Sequence, residues 1–248
     1  MVLRKLKDRE RNDVMSVFAN QFKEFRSDKM QLLFYIIWAV VTFAWPLISS
    51  MGFGEPENWD YPRQIAPALG ILVAGGAALF IFAQVVAGHR ENGYLSKANP
   101  ISYFLGVGGF YAVLNMIMAV CIALVGELSG RSMVNYVLLI LLATICANLV
   151  GAIIGILSKD QKTALLISYP IGLMLVFLFK FRNGVPAVQI INPIRPFISW
   201  FYMERINFML MEVHTGDFLV DVFVVLGNVA VLAIVVAVLY NVKGIKSV

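Results

Sequence analysis

Few side chains in this sequence have both the chemistry and the spacing that catalysis requires. The only histidines, His89 and His214, lie in separate polar segments, and the only cysteines, Cys121 and Cys146, lie within apolar stretches. A hydrolytic or redox site needs clustered acids or histidines, or a nucleophile beside a base. No such pair falls within the long apolar segments, and two isolated cysteines predict neither a disulfide framework nor a metal cluster. We therefore expect no enzyme active site and no metal site.

The chain also lacks the usual device for holding ATP. The pattern G-x-x-x-x-G-K-[ST], whose backbone amides and lysine bind phosphates, occurs nowhere in the 248 residues. No polar segment between the apolar blocks is long enough to contain a nucleotide-binding domain. We expect this chain to bind no cofactor of its own.

Composition indicates an all-α polytopic membrane protein. Apolar residues make up 60% of the chain, charged residues only 14%, and the mean hydropathy is +0.79. A soluble domain carries roughly a quarter of its residues as charged side chains. The net charge of +5 does not indicate nucleic-acid binding, because the basic residues lie between apolar blocks, as in cytoplasmic loops of membrane proteins.

The apolar blocks predict six transmembrane helices, and a polar segment over residues 1–30 precedes them. The first block begins near residue 31 and is too long for the core of a cleaved signal peptide. The domain organisation is therefore a cytoplasmic segment, 1–30, followed by a transmembrane domain, 31–248. The predicted spans are 31–50, 66–87, 101–126, 133–157, 163–180 and 218–240.

An amphipathic helix is predicted within residues 1–30. Its apolar residues lie on one face and its basic residues on much of the opposite face. This pattern is typical of a helix that lies at the membrane interface against anionic lipid. Aromatic residues near the block ends are likewise predicted to face the headgroups. The apolar stripe is Val14, Val17, Phe18, Gln21, Phe22 and Phe25, the basic one Arg11, Lys23, Arg26 and Lys29, and the interfacial aromatics Trp45, Trp59, Tyr61, Tyr103 and Tyr240.

Basic residues predict the orientation. The segments 1–30, 88–100, 158–163 and 241–248 are rich in lysine and arginine, and an even number of spans places them all on one side. That side is the cytoplasm, so both termini are predicted to be cytoplasmic.

Residues 181–217 are the exception to this charge rule. They carry Arg182, Arg195 and Arg205, yet must be external if there are six spans. Their prolines and aromatics predict short helices at the outer surface. The alternative is a seventh span near 186–204, which would cost about 3 kcal/mol for Arg195 at its centre and would move the C-terminus outside.

The polar stretch between spans two and three is the most informative motif. Gly93 permits a tight bend, and Asn99-Pro100 ends one helix and begins another. We expect up to two turns of helix between them. Arg90 and Glu91 precede the bend, and Pro100-Ile101-Ser102 enters the next span.

This pattern resembles the first cytoplasmic loop of type-2 exporter permeases, the membrane subunits of ATP-binding-cassette (ABC) transporters. The amphipathic helix is similar to the connecting helix of that family. Residues 148–152 with 158–163 resemble its fourth span and second cytoplasmic loop, and Asn192-Pro193-Ile194 resembles an Asn-Pro-Leu signature. Residues 179–186 match the family's outer Gly-rich stretch only in part, which leaves the outer gate undefined.

The resemblance implies that the 88–100 loop forms a short coupling helix against a separate ATP-binding subunit, which holds ATP and Mg. It also implies a second permease subunit, identical or related, and a location in the cell membrane. The coupling residues would be Arg90, Glu91, Gly93, Lys97 and Pro100, and the second cytoplasmic loop would contribute Lys159, Asp160 and Lys162.

Polar and small residues inside the spans have two interpretations. Tyr35, Trp38, Asn115 and Asn148 are candidates for a substrate pathway, although buried amides more commonly hydrogen-bond one helix to another. Close-packing glycines at positions 151 and 155 serve either helix packing within the subunit or a dimer interface.

We expect the cargo to be a hydrophobic or amphipathic peptide, with lipid-linked polysaccharide or drug export left open. The alternative functions are an ion-gradient-driven secondary transporter or channel, and a membrane scaffold.

Overall fold

The computed structural model is all-helical, with no strand among the residues that it describes. It describes residues 13–29, 31–33, 35–37, 40, 44, 70, 78–180, 202–211 and 219–244, and every regular element among them is helical. The helices are α1 (Val14–Ser27), α2 (Ala78–Glu91), α3 (Pro100–Val125), α4 (Gly130–Leu157), α5 (Gln161–Lys180), α6 (Tyr202–Met211) and α7 (Leu219–Leu239).

Four predicted spans coincide with helices to within a few residues, namely α3, α4, α5 and α7. The helix α2 covers the second part of the span predicted at 66–87, and most of the span predicted at 31–50 lies outside the described residues. Within the described residues, three helices are long and apolar enough to cross a membrane: Pro100–Val125, Gly130–Leu157 and Leu219–Lys243. The chain therefore has the character of a helical membrane protein.

Local residue chemistry explains where several helices begin. Asp13 caps α1 by accepting a hydrogen bond from the Met15 amide at 3.2 Å. Asn99 caps α3 in the same way through the Ile101 amide at 3.0 Å, and Pro100 follows as the first helical residue. Side-chain oxygens at these positions satisfy amides that the helix leaves unpaired. The predicted start of α3 at Asn99-Pro100 is confirmed.

The helices α2 and α4 cross at two glycines of α4. A Cβ added to Gly151 would lie 2.5 Å from the carbonyl oxygen of Leu79, and one added to Gly155 would lie 2.7 Å from that of Ala83. Both distances are too short for any side chain, so the backbones meet directly. The predicted close-packing glycines therefore serve packing within the subunit.

The apolar face of α1 is covered by α3. Val17 is buried against Gly106, and the rings of Phe18, Phe22 and Phe25 surround Phe110 at centroid distances of 5.5, 6.3 and 5.4 Å. The predicted helix is confirmed, but much of the stripe expected to enter the bilayer contacts protein instead. Its location at the membrane interface stays a prediction.

Substitution of Gly106 should detach α1 from α3. In Gly106→Val, the new Cβ would lie 2.6 Å from Val17 Cγ1 and 3.0 Å from the Val14 carbonyl oxygen. Overpacking of this kind costs about 1–3 kcal/mol, so amide hydrogen exchange in α1 should accelerate by about tenfold or more. Gly109→Val is the matched control, because a Cβ at Gly109 meets nothing within 4 Å. Equal exchange in the two variants would contradict this packing.

Candidate functional site

The α2–α3 loop, residues 92–99, is short and tightly folded. Gly93 has a φ of +66°, which lets the chain reverse after α2, and the Tyr94 amide donates to the His89 carbonyl at 2.8 Å. Only Leu95–Lys97 forms a helical turn, and that turn is of the 3₁₀ type. The expected two turns are therefore wrong, because Asn99 precedes a proline and adopts extended backbone.

The last turn of α2 is joined to the α4–α5 loop, residues 158–160, through Arg90. One terminal nitrogen of the Arg90 guanidinium donates to the carbonyl oxygen of Ser158 at 2.5 Å. The Arg90 Nε is buried without a hydrogen-bond partner, and Gln161 packs against Gly88, two residues before Arg90. The structure thus brings together two of the four segments that the sequence assigned to the cytoplasm, 88–100 and 158–163. Arg90 holds them to each other, which was not its predicted role.

Other predicted site residues lie on the outside of this end of the bundle. Glu91, Lys97, Lys159 and Lys162 are exposed, whereas Pro100 is partly buried where it begins α3. The exposed groups are three lysines and one glutamate, and they are free to meet a partner surface. Gly93 shapes the bend instead of offering a side chain.

Asp160 has a structural role at the start of α5. Its carboxylate accepts a hydrogen bond from the Thr163 amide at 2.7 Å. Hydrogen bonds from the backbone and side chain of Thr163 lower the pKa of Asp160, because they stabilise the ionised form. Asp160 therefore acts as a helix cap, and its contact with a partner stays a prediction.

The Asp160 cap should weaken in acid. Its folded-state pKa is lowered, so its contribution to the first turn of α5 is present above the unfolded pKa and lost as pH falls through the folded value. The Thr163 amide resonance should follow this titration, with a midpoint below the ordinary aspartate value of about 3.9. Asp160→Asn, which can still cap the helix, should abolish the titration. A midpoint at or above the ordinary value would contradict the assignment.

Two predicted interfacial tyrosines are buried inside the protein, so that prediction is wrong for them. Tyr240 at the end of α7 donates its hydroxyl to the carbonyl oxygens of Leu95 and Ala98, the latter at 2.9 Å. Tyr103 in the first turn of α3 has no exposed surface, and its hydroxyl lies 2.8 Å from His89 Nδ1. A phenol can satisfy its hydroxyl on protein groups as well as on headgroups, and here the loop supplies them.

His89 connects α1 to the same end of the bundle. Its Nε2 lies 2.9 Å from Glu24 Oε2 on α1, and its Nδ1 is paired with Tyr103 on α3. The His89 ring also packs against Tyr94 in the α2–α3 loop at a centroid distance of 5.1 Å. One side chain therefore contacts α1, α3 and the loop together.

The candidate pathway residues lie between helices. The Tyr35 hydroxyl donates to Asn115 Oδ1 at 3.4 Å, and Asn148 Nδ2 donates to the Gly108 carbonyl at 3.4 Å. Asn115 Nδ2 and Asn148 Oδ1 are buried without partners. Trp38 lies outside the described residues. These bonds support the interpretation of the asparagines as links between helices, and contact with cargo stays a prediction.

At the opposite end, the segment predicted to be external contains one described helix, α6. The helix α6 packs against α7 and α4, and Arg205 on α6 donates to Asp221 on α7 at 2.7 Å. This ion pair neutralises the charge of one of the three arginines that six spans place outside the cell, where the positive-inside rule disfavours them. Residues 181–201, which contain the Asn-Pro-Ile motif and most of the alternative seventh span, lie outside the described residues.

Comparison with models of known protein families, with curated proteins and with solved structures finds no match. Among the residues that the structure describes, no three His, Cys, Asp or Glu side chains are grouped so that they could hold a metal ion. We therefore infer function from the arrangement of this chain's own residues.

Proposed function

We propose that this chain is the permease subunit of an ATP-driven exporter of the ABC type. In this proposal it forms part of the translocation pathway and docks onto a separate ATP-binding subunit through the α2–α3 and α4–α5 loops. The observation that carries the proposal is the hydrogen bond from Arg90, in the last turn of α2, to Ser158, which holds the 88–100 and 158–163 segments together at one end of a bundle with membrane-length helices.

The contacts of the loops would allow a displacement of the loops by a partner to be passed on to the membrane helices. Arg90 holds the last turn of α2, directly before the α2–α3 loop, to the end of α4. Tyr240 bonds the loop to the end of α7, and Asn99, the last loop residue, caps α3. A displacement applied to exposed Glu91 or Lys97 would therefore reach several membrane helices at once. Closure of two ATP-binding subunits would supply that displacement and switch the pathway from inward- to outward-facing.

The remaining parts of the assembly follow from the same proposal. Two permease subunits, identical or related, would bracket the pathway, and ATP and Mg would be bound by the partner ATPase alone. Exposed apolar residues along α3, α5 and α7, such as Leu105, Leu166 and Phe223, would face lipid or the second permease. The cargo would be a hydrophobic or amphipathic peptide.

Six spans with both termini in the cytoplasm are part of the proposal, and cysteine labelling tests them. With a membrane-impermeant thiol reagent applied to intact cells, Asn183→Cys should be labelled and Ser247→Cys should not. The basic segments on one side are the physical reason. Labelling of Ser247→Cys from outside would contradict the topology and, with it, the docking of an ATPase on this end of the bundle.

Purification of the full chain with its native partners separates this function from the alternatives. The proposal expects a P-loop ATPase to co-purify and its ATP hydrolysis to respond to cargo. Transport by the chain alone, collapsed by an ionophore, would instead indicate a secondary transporter or channel. A bound ATPase whose activity no cargo alters would indicate a scaffold.

A further inference from the structure

The last membrane-length helix is hydrogen-bonded into the α2–α3 loop. The Tyr240 hydroxyl donates to the carbonyl oxygens of Leu95 and Ala98, and its ring packs edge to face on Phe104 at a centroid distance of 5.8 Å. Tyr240, Leu95 and Ala98 are all buried. More than 140 residues separate Tyr240 from these two carbonyls in the sequence. The contact therefore links two distant parts of the chain.

The backbone changes at the same residue. The helix α7 ends at Leu239, and Tyr240–Gly244 continues as a π-helical turn. Such turns are rare. Within this turn Tyr240 is buried while Asn241, Val242 and Lys243 are exposed. Tyr240, unlike the three residues that follow it, is buried against the loop.

We propose that Tyr240 is a positioning residue that fixes the α2–α3 loop to α7, so that the loop and the end of α7 move as one unit. The importance of this link for transport rests on the proposed function, because a push on the loop would then act on α7 as well as on α2, α3 and α4. The link itself is a property of the chain and can be measured without a partner.

The hydroxyl distinguishes this role from simple packing. A buried ring against Phe104 would stabilise the end of α7 without constraining the loop backbone. The hydroxyl instead shares its one hydrogen between the carbonyl oxygens of Leu95 and Ala98, at the two ends of the segment 95–98. A buried carbonyl that loses its donor is left unsatisfied, which makes the bond costly to remove. Loss of the hydroxyl alone should therefore loosen the loop while the ring contact remains.

The first test compares Tyr240→Phe with Tyr169→Phe in the full-length protein in lipid nanodiscs. Tyr169 is an exposed tyrosine on α5, so its variant controls for the loss of a phenol hydroxyl. Amide hydrogen exchange over residues 94–99 should accelerate on the order of tenfold in Tyr240→Phe and stay unchanged in Tyr169→Phe. Unchanged exchange in Tyr240→Phe would overturn the proposal.

The second test measures the joint movement directly. Spin labels on Asn92→Cys and Lys243→Cys, both exposed positions, should give a narrow distance distribution in an otherwise native chain. That distribution should broaden when Tyr240→Phe is added. A broad distribution in the otherwise native chain overturns the link even if Tyr240→Phe fails to fold.

With the native ATPase bound, the label distance should stay constant between nucleotide-free and ATP-bound states and should vary in Tyr240→Phe. A distance that changes in the native chain overturns joint movement. Absence of any associated ATPase would refute the proposed function, whereas the partner-free distances would still decide whether Tyr240 holds the loop.

Discussion

Glu91→Lys is expected to abolish transport while the protein still inserts, folds and reaches the membrane. Glu91 is exposed at the end of α2, directly before the bend at Gly93. No hydrogen bond or ion pair of Glu91 is found within the described part of the chain, so reversal of its charge should leave the bundle intact. In the proposed assembly Glu91 faces a basic group on the ATPase, and like charges at such a contact cost several kcal/mol.

A cost of about 3 kcal/mol would weaken docking about a hundredfold, with cargo-dependent ATP hydrolysis lost in proportion. Glu127→Lys is the matched control, because it makes the same charge change at an exposed glutamate in the loop between α3 and α4. Association is measured by co-purification and coupling by cargo-stimulated hydrolysis in vesicles. Normal transport by Glu91→Lys would remove the docking role from this residue.

Gly151→Leu is expected to destabilise the whole bundle more than any surface substitution. The leucine would have to occupy space where a Cβ alone lies 2.5 Å from the Leu79 carbonyl oxygen and 3.1 Å from the Ala83 nitrogen. Both neighbours are backbone atoms of α2, which cannot turn aside as a side chain can. The two helices must separate, and such overpacking costs about 3 kcal/mol or more.

For a chain of this size, that cost lowers Tm by about 10 °C. Gly227→Leu is the control, because Gly227 lies in the apolar helix α7 and a Cβ there meets nothing within 4 Å. Thermal unfolding of the two variants in detergent should therefore differ clearly. A Tm for Gly151→Leu close to that of the native chain would contradict the α2–α4 crossing.

Local signals in the sequence suffice for the four predicted spans that coincide with described helices. The start of α3 follows from Asn99-Pro100, since a capping side chain followed by a proline favours the start of a helix. The glycine spacing on α4 likewise predicted a close crossing, and the structure supplied the partner, α2. These features depend on neighbouring residues alone, which is why they could be predicted.

Contacts between distant segments could not be predicted in the same way. An apolar stripe such as Val17 and Phe25 has the same sequence pattern whether it contacts lipid or another helix. The pattern alone therefore does not identify α3 as the partner of α1. The bonds from Arg90 to Ser158 and from Tyr240 to Ala98 depend on how the helix ends meet. A tyrosine near the end of an apolar block gives no local signal that distinguishes the membrane interface from a buried loop.

The most direct test of the proposed function is site-specific photo-crosslinking in native membranes. A photoreactive amino acid replaces exposed Lys97 in the α2–α3 loop, and the same amino acid at exposed Arg131 in the first turn of α4 serves as the control. We expect a crosslink from position 97, absent from position 131, to a protein that carries the P-loop pattern, identified by mass spectrometry. Failure to crosslink any P-loop protein from position 97, in membranes where the chain is active, would contradict the account.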